Sequence, residues 1–292
     1  MTDSLTPDDR WEMRRSRLLT LLIEDGLQGI AVKIKDRGIL DSTAYAGRQV
    51  RYSMCIAIAR RWDRKHGVET NGQIELDKLD IAGPNKAMGA PAVSTSPKTF
   101  RYLSRYFPKR RTNVVYVDIG AGKGRTLLLA SLLGFRRVIG VEFASELCDR
   151  AKENIASFRP LSGGRDICSV IQADATKYRL PLADSVLYFG NPFALELWPA
   201  MIENIVRCLR ESPRNITIIL AGSQRETIRG AGRLLAACTD FVPLAGGKVP
   251  YYFDTYLPYY YECFSTQVYV PCPEPFRRVP RQGMETDCNT GP

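Results

Sequence analysis

"VVYVDIGAGKGRTLLLASLLGF", Val114 to Phe135, decides the fold. A β-branched apolar run leads into three alternating glycines, Gly120, Gly122 and Gly124, and a leucine-rich run follows them. The pattern predicts a strand (Val114–Asp118), a tight turn and a helix (Arg125–Leu133) ended by Gly134. Such a unit commonly holds a nucleotide-like ligand at its turn. Two familiar glycine motifs fail here. A phosphate-binding P-loop needs a glycine five positions before Gly122, where Val117 stands, and Ser or Thr after Lys123, where Gly124 stands. The dinucleotide fingerprint GxGxxG fails because its third glycine falls one residue early.

What remains is Asp-x-Gly-x-Gly-x-Gly, from Asp118 to Gly124. A carboxylate beside the turn would repel a pyrophosphate but pair with an ammonium group. S-adenosylmethionine carries an ammonium, a sulfonium and no phosphate, and glycines let the backbone approach it where a Cβ would intrude. Glu142 ends the next expected strand, Arg137–Glu142, where a carboxylate can accept from both ribose hydroxyls. Asp174 ends the third, Cys168–Asp174, where its side chain can accept from an adenine amine and the Ala175 amide can donate to a ring nitrogen. Phe143 follows Glu142 at the same site.

Downstream the alternation continues. Helices are expected over Ser145–Phe158 and Pro199–Arg210, and strands over Ser185–Gly190 and Asn215–Ala221. A Ser223/Glu226 capping box should open a helix reaching Ala237, and Phe241–Leu244 and Cys263–Val270 should be the last strands. Strand–helix alternation implies a mostly parallel sheet with helices on both faces. Upstream, residues 1–94 read as a helical extension and loop, with helices at Trp11–Leu27 and from Asp41 or Ser42 to Lys65. "HGVETNGQIELDKLDIAGPNKAMGAP", which starts at His66, reads as loop. Ser96 and Pro97 should start a helix with Phe100, Leu103 and Phe107 on one face. Its other side holds Lys98, Arg101, Arg105, Lys109, Arg110 and Arg111, either a solvated face or an anion-attracting rim. The core domain is placed at 95–270 and a loose tail at 271–292.

Composition narrows the class. With 292 residues, 45% hydrophobic and 25% charged, the chain reads as soluble and globular. No membrane span and no secretion signal are read. Eight cysteines without a CxxC pair and a single histidine argue against structural zinc, and no metal is expected. Reduced, mostly buried thiols and a cytoplasmic location follow. His66 is read as a loop residue without a catalytic role. The net charge of +10 fits a basic cytosolic surface or an acidic partner.

The motifs "DIGAGKGR", "GVEF" and "GNPF" resemble the class I S-adenosylmethionine-dependent methyltransferases over about Asn113 to Val270. They look closest to uncharacterised bacterial members with a DxGxGKGR turn and an NPF motif, and "HGVETNG" is similar to a segment preceding the fold in that group. The resemblance implies a Rossmann-like α/β fold with a seven-stranded, mostly parallel sheet, an antiparallel last strand and helical N-terminal additions. "SVLYFGNPF", ending at Phe193, is similar to the [Asp/Asn]-Pro-Pro-[Tyr/Phe] signature of amino-directed methyltransferases, one proline short. In that reading Asn191 and nearby carbonyls grip a target amine or amide, Pro192 keeps the chain out of helix, and Phe193 closes the pocket. The other reading makes Asn-Pro a turn. The aromatic run Tyr251–Tyr261 lines the acceptor pocket or packs internally. Three functions follow: a methyltransferase acting on nitrogen in a protein side chain or small molecule, a nucleic-acid methyltransferase, or a non-catalytic S-adenosylmethionine-binding protein.

Overall fold

The computed structural model describes residues 39–72, 94–159, 167–191, 193–250 and 258–266, the side chains of 39–49, 51 and 52 excepted. In chain order the elements are α1 (Ile39–His66), α2 (Pro97–Leu103), a 3-10 turn (Ser104–Tyr106), β1 (Val115–Ile119), α3 (Arg125–Ser131), β2 (Arg137–Glu142), α4 (Ser145–Ser157) and β3 (Cys168–Gln172). There follow β4 (Ser185–Gly190), α5 (Trp198–Glu211), β5 (Ile216–Gly222), α6 (Arg225–Ala237), β6 (Phe241–Lys248) and β7 (Tyr260–Thr266). The strands form one seven-stranded sheet in the order β3-β2-β1-β4-β5-β7-β6. β1 to β5 pair in parallel, while β7 runs antiparallel to both β5 and β6. This is the Rossmann-like α/β fold with an antiparallel last strand.

Alternation along β1 decides which layer each helix covers. Val115, Val117 and Ile119 face α5 and α6, through Trp198, Met201, Ile205 and Leu209 on the first and Ile228, Ala231 and Leu235 on the second. Tyr116 faces the other way, with Phe100 and Leu103 of α2 and Leu127 and Ala130 of α3. Phe100, Leu103 and Phe107 are all buried, as their spacing predicts. Each such side chain contributes roughly 1.5–3 kcal/mol when taken out of water. Ser96 caps α2 by accepting from the Thr99 amide at 3.1 Å.

Several boundaries differ from the sequence expectation. α1 begins at Ile39, so Asp41 and Ser42 lie inside it and neither caps it. The helix expected at 11–27 lies outside the described residues. His66 is the last residue of α1, not a loop residue; its ring packs tilted against Trp62 at 4.3 Å and Phe158 at 5.6 Å. The Ser223/Glu226 box does not form: α6 starts at Arg225 without a side-chain cap, because the Ser223 amide donates instead to Asn191. β6 runs on to Lys248 despite Pro243 and two glycines, pairing with β7 across an irregularity at Pro243/Ala245. β7 starts earlier than expected, at Tyr260, because the tyrosine run supplies β-forming residues opposite Ala221 and Gly222. Cys55, Cys148, Cys168, Cys208 and Cys263 are buried. Among the described residues no helix is long and apolar enough to cross a membrane.

Candidate functional site

The parallel strands deliver Asp118, Glu142 and Asp174 to one edge of the sheet. Asp118 lies opposite Gly140 and Glu142 opposite Gln172, and Asp174 follows β3 by two residues. The three glycines between β1 and α3 all take left-handed backbone, with φ 81° at Gly120, 53° at Gly122 and 82° at Gly124. That conformation costs other residues about 1–2 kcal/mol. The turn folds back on β2: the Gly120 and Ala121 amides both donate to the Val141 carbonyl, at 2.9 and 3.2 Å. β2 passes so close beneath it that a Cβ on Gly140 would lie 2.7 Å from Leu127 and 2.9 Å from Ala121.

Glu142 is the turn's second anchor. Its Oε2 accepts from the Gly122 amide at 2.8 Å, and its Oε1 accepts from the Phe143 and Ala144 amides at 2.9 and 3.1 Å. Burial raises its pKa and these three amides oppose the rise. A carboxylate has about four acceptor positions, so Oε2 can still take a further donor. Asp118 is 2% exposed and accepts from the Thr126 hydroxyl of α3. Burial pushes its carboxyl up to about 8, against the Thr126 bond and with help from the Glu142 charge. Asp174 Oδ1 accepts from the Thr176 amide at 2.9 Å and its hydroxyl at 2.7 Å. The Ala175 carbonyl accepts from Asn204 of α5 at 3.1 Å, pinning that turn to the far layer.

At the end of β4, Asn191 takes φ 53°, the single non-glycine left-handed residue among those described. Its Oδ1 accepts from the Ser223 amide at 3.0 Å, and its own amide donates to the Ala221 carbonyl at 3.0 Å. One lone pair of that Oδ1 is therefore in use and one remains for another donor. Pro192 lies outside the described residues. Phe193 is 7% exposed and packs edge-on to Phe189 at 6.2 Å and tilted on Trp198 at 5.1 Å, so it belongs to the core beneath the edge.

Several residues at this edge carry no sequence motif. The Thr95 hydroxyl meets the Tyr188 hydroxyl at 2.9 Å and the Tyr259 hydroxyl at 3.2 Å, behind Gly190. This joins the start of α2, β4 and the approach to β7. Tyr261 bonds Tyr106 at 2.8 Å, and residues 251–257 of the aromatic run lie outside the described residues. Arg111, the last residue of the basic run, precedes β1 at the opposite edge, its carbonyl accepting from the Arg136 amide. Among the described residues no cluster of His, Cys, Asp and Glu could hold a metal ion.

Residues 117–212 match a family described as a methyltransferase domain. The match runs from β1 to the end of α5 and so contains the glycine turn, all three acids and Asn191. This stretch is similar to methyltransferase domains. No curated protein matches the chain. Among solved structures, the chain is similar to TrmN from Thermus thermophilus, at 17% identity and TM-score 0.46, covering 59% of this chain and 49% of that one. It is also similar to a precorrin-6y C5,15-methyltransferase from Geobacter metallireducens, at 18% identity and TM-score 0.45, covering 64% of this chain and 93% of that one.

Proposed function

We propose that this protein is an S-adenosylmethionine-dependent methyltransferase acting on nitrogen, in a protein side chain or a small molecule. The observation that carries the reading is the row of Asp118, Glu142 and Asp174 at three adjacent strand ends around a glycine turn, inside the matched region. In this reading Asp118 faces the cofactor ammonium, Glu142 and the half-buried Phe143 meet the ribose, and Asp174 with the Ala175 amide holds the adenine. Gly120, Gly122 and Gly124 keep the backbone close to the amino-acid end.

Methyl transfer is an in-line displacement: the nitrogen lone pair forms the new N–C bond as the S–C bond breaks, and the nitrogen then loses a proton to solvent. Positioning is the main contribution a protein can make to such a step. Asn191 supplies a neutral acceptor, the unused lone pair of Oδ1, to an N–H of the target. A lysine acceptor must first lose a proton, which costs roughly 4–5 kcal/mol at pH 7 from its reference pKa near 10.4. Its methylation should therefore accelerate well above pH 7, and methylation of an amide or aromatic amine should not.

Calorimetry on metal-free protein tests the cofactor: one site for S-adenosylmethionine and its demethylated product is expected. Absence of binding near millimolar ligand, or binding of NAD instead, would sink the assignment. Radiolabel transfer into a lysate lacking the gene then identifies the acceptor class. The exposed Lys98, Arg101, Arg105, Lys109 and Arg110 favour a nucleic-acid acceptor as the second reading. In that case the label enters nucleic acid, and binding falls steeply with salt.

A further inference from the structure

The segment Glu69-Thr70-Asn71-Gly72 is fastened to the glycine turn by side chains that the proposed cofactor contacts do not use. Asn154 of α4 accepts from the Glu69 amide at 2.7 Å and donates from Nδ2 to both the Glu69 carbonyl, at 3.1 Å, and the Lys123 carbonyl, at 2.9 Å. Lys123 Nζ reaches back from the turn to the Asn71 carbonyl at 2.8 Å. Asp63 of α1 takes the Thr70 and Asn71 amides on Oδ2, at 2.8 and 2.7 Å, and the Thr70 hydroxyl on Oδ1 at 2.7 Å. Arg125, the first residue of α3, donates to the Thr70 hydroxyl at 2.6 Å and pairs with Asp63 at 3.2 Å. Ser94 donates to the Thr70 carbonyl.

Five residues of this fastening are withdrawn from water: Asp63 is 6% exposed, Thr70 0%, Lys123 9%, Arg125 4% and Asn154 3%. Burial lowers the Lys123 pKa, against the pull of the nearby Glu69 charge. A buried ion pair contributes little net stability over an apolar pair of the same volume, because desolvation offsets the attraction. What such a pair does supply is a fixed geometry. Here it fixes where residues 69–72 stand against Lys123–Arg125, the stretch whose Gly124 leads the turn into α3.

We propose that Glu69–Gly72 forms a wall of the cofactor site beside the glycine turn, with Asp63 and Arg125 as the positioning residues that hold it there. The proposal rests on the S-adenosylmethionine reading above. It gives Lys123 and Arg125 of "GKGR" a task that composition does not disclose: they grip the upstream segment and leave the cofactor contacts to the turn's backbone.

Hydrogen–deuterium exchange on the unaltered protein, with and without saturating S-adenosylmethionine, tests the wall directly. The ligand should slow exchange at 69–72 together with 120–124. Slowing at 120–124 alone would overturn the proposal and leave the cofactor reading intact; absence of any binding by calorimetry overturns both. Arg125→Lys keeps the charge but loses the planar fork whose Nε and Nη2 reach Thr70 and Asp63 separately, so S-adenosylmethionine should bind about tenfold more weakly, the scale of one lost charge-assisted hydrogen bond. Asp63→Asn should do the same. A merely structural role would lower the melting temperature yet leave the affinity of the folded molecules unchanged, and that outcome for both variants counts against the assignment.

Discussion

The two halves of the site edge are built on different length scales. Along β1 to β3 most partners are close in sequence. Glu142 bonds residues one and two places on, Asp174 a residue two places on, and Asp118 one eight places on. Along β4, β5 and β7 the partners are distant: Asn191 and Ser223 are 32 residues apart, Thr95 and Tyr188 are 93, and Thr95 and Tyr259 are 164. The first half is a set of local strand-end motifs. The second exists only once the sheet has closed.

This contrast can be broken by experiment. The largest effect is expected from Asn191→Ala in the proposed acceptor half. A misplacement of about 1 Å can cost on the order of a hundredfold in rate, so turnover should fall by about that factor with cofactor affinity nearly unchanged. Parent-like turnover in the folded variant would return "GNPF" to its turn reading. In the other half, Glu142→Ala and Asp118→Ala should each weaken cofactor binding by about ten- to a hundredfold, from the roughly 1.5–3 kcal/mol of a charge-assisted hydrogen bond. Calorimetry showing parent-like affinity in both would move the site elsewhere. For Glu142→Ala some loss will come through the turn, because the Gly122 amide loses its acceptor.

Gly140→Ala separates scaffold from ligand. Its new methyl would meet Leu127 and Ala121 inside 3 Å, and overpacking of this kind typically costs about 1–3 kcal/mol. Chemical denaturation should show a loss in that range; an unchanged midpoint would mean that the turn yields freely.

A last set of expectations concerns the proton on Asp118. Burial pushes its carboxyl up to about 8 in the folded protein, against roughly 3.9 in an unfolded chain. The folded state therefore holds a proton that the unfolded state has released. That contribution to stability is complete below about pH 4 and is lost as pH rises through about 8. Asp118→Asn, which mimics the protonated form, should flatten the stability profile between about pH 5 and 8, read from denaturant midpoints. A cofactor ammonium favours the carboxylate, so binding at pH 7 should release on the order of one proton. Calorimetry in two buffers of different ionisation heat measures it, and zero release would separate Asp118 from the ammonium.

Legibility in the sequence follows the same division. "DIGAGKGR", "GVEF" and "QADAT" could be placed on strand ends because each motif contains the chain reversal that exposes it. β2 and β4 fall on the stretches their apolar runs mark, Arg137–Glu142 and Ser185–Gly190. Thr126 could have been found, since the second residue of a helix following such a turn faces back to the strand end. Thr95, Tyr188 and Tyr259 could not: a threonine before a cap and two tyrosines in apolar runs look like ordinary packing until the sheet order sets them together. The fastening of Thr70 to Asp63 and Arg125 was hidden for the same reason, with Thr70 and Arg125 55 positions apart. The false capping box at Ser223 shows the converse. A local rule failed because Asn191, from another strand, had taken the amide.

Gly222 sits where a Cβ would come within 2.0 Å of Asn191 Oδ1. The carboxamide thus occupies the space that any other residue at 222 would claim for its own side chain. Across the sequences that share this sheet, asparagine after β4 and glycine at the end of β5 should be inherited as a pair. A chain that has exchanged Gly222 should also have abandoned Asn191, and with it whatever that side chain selects.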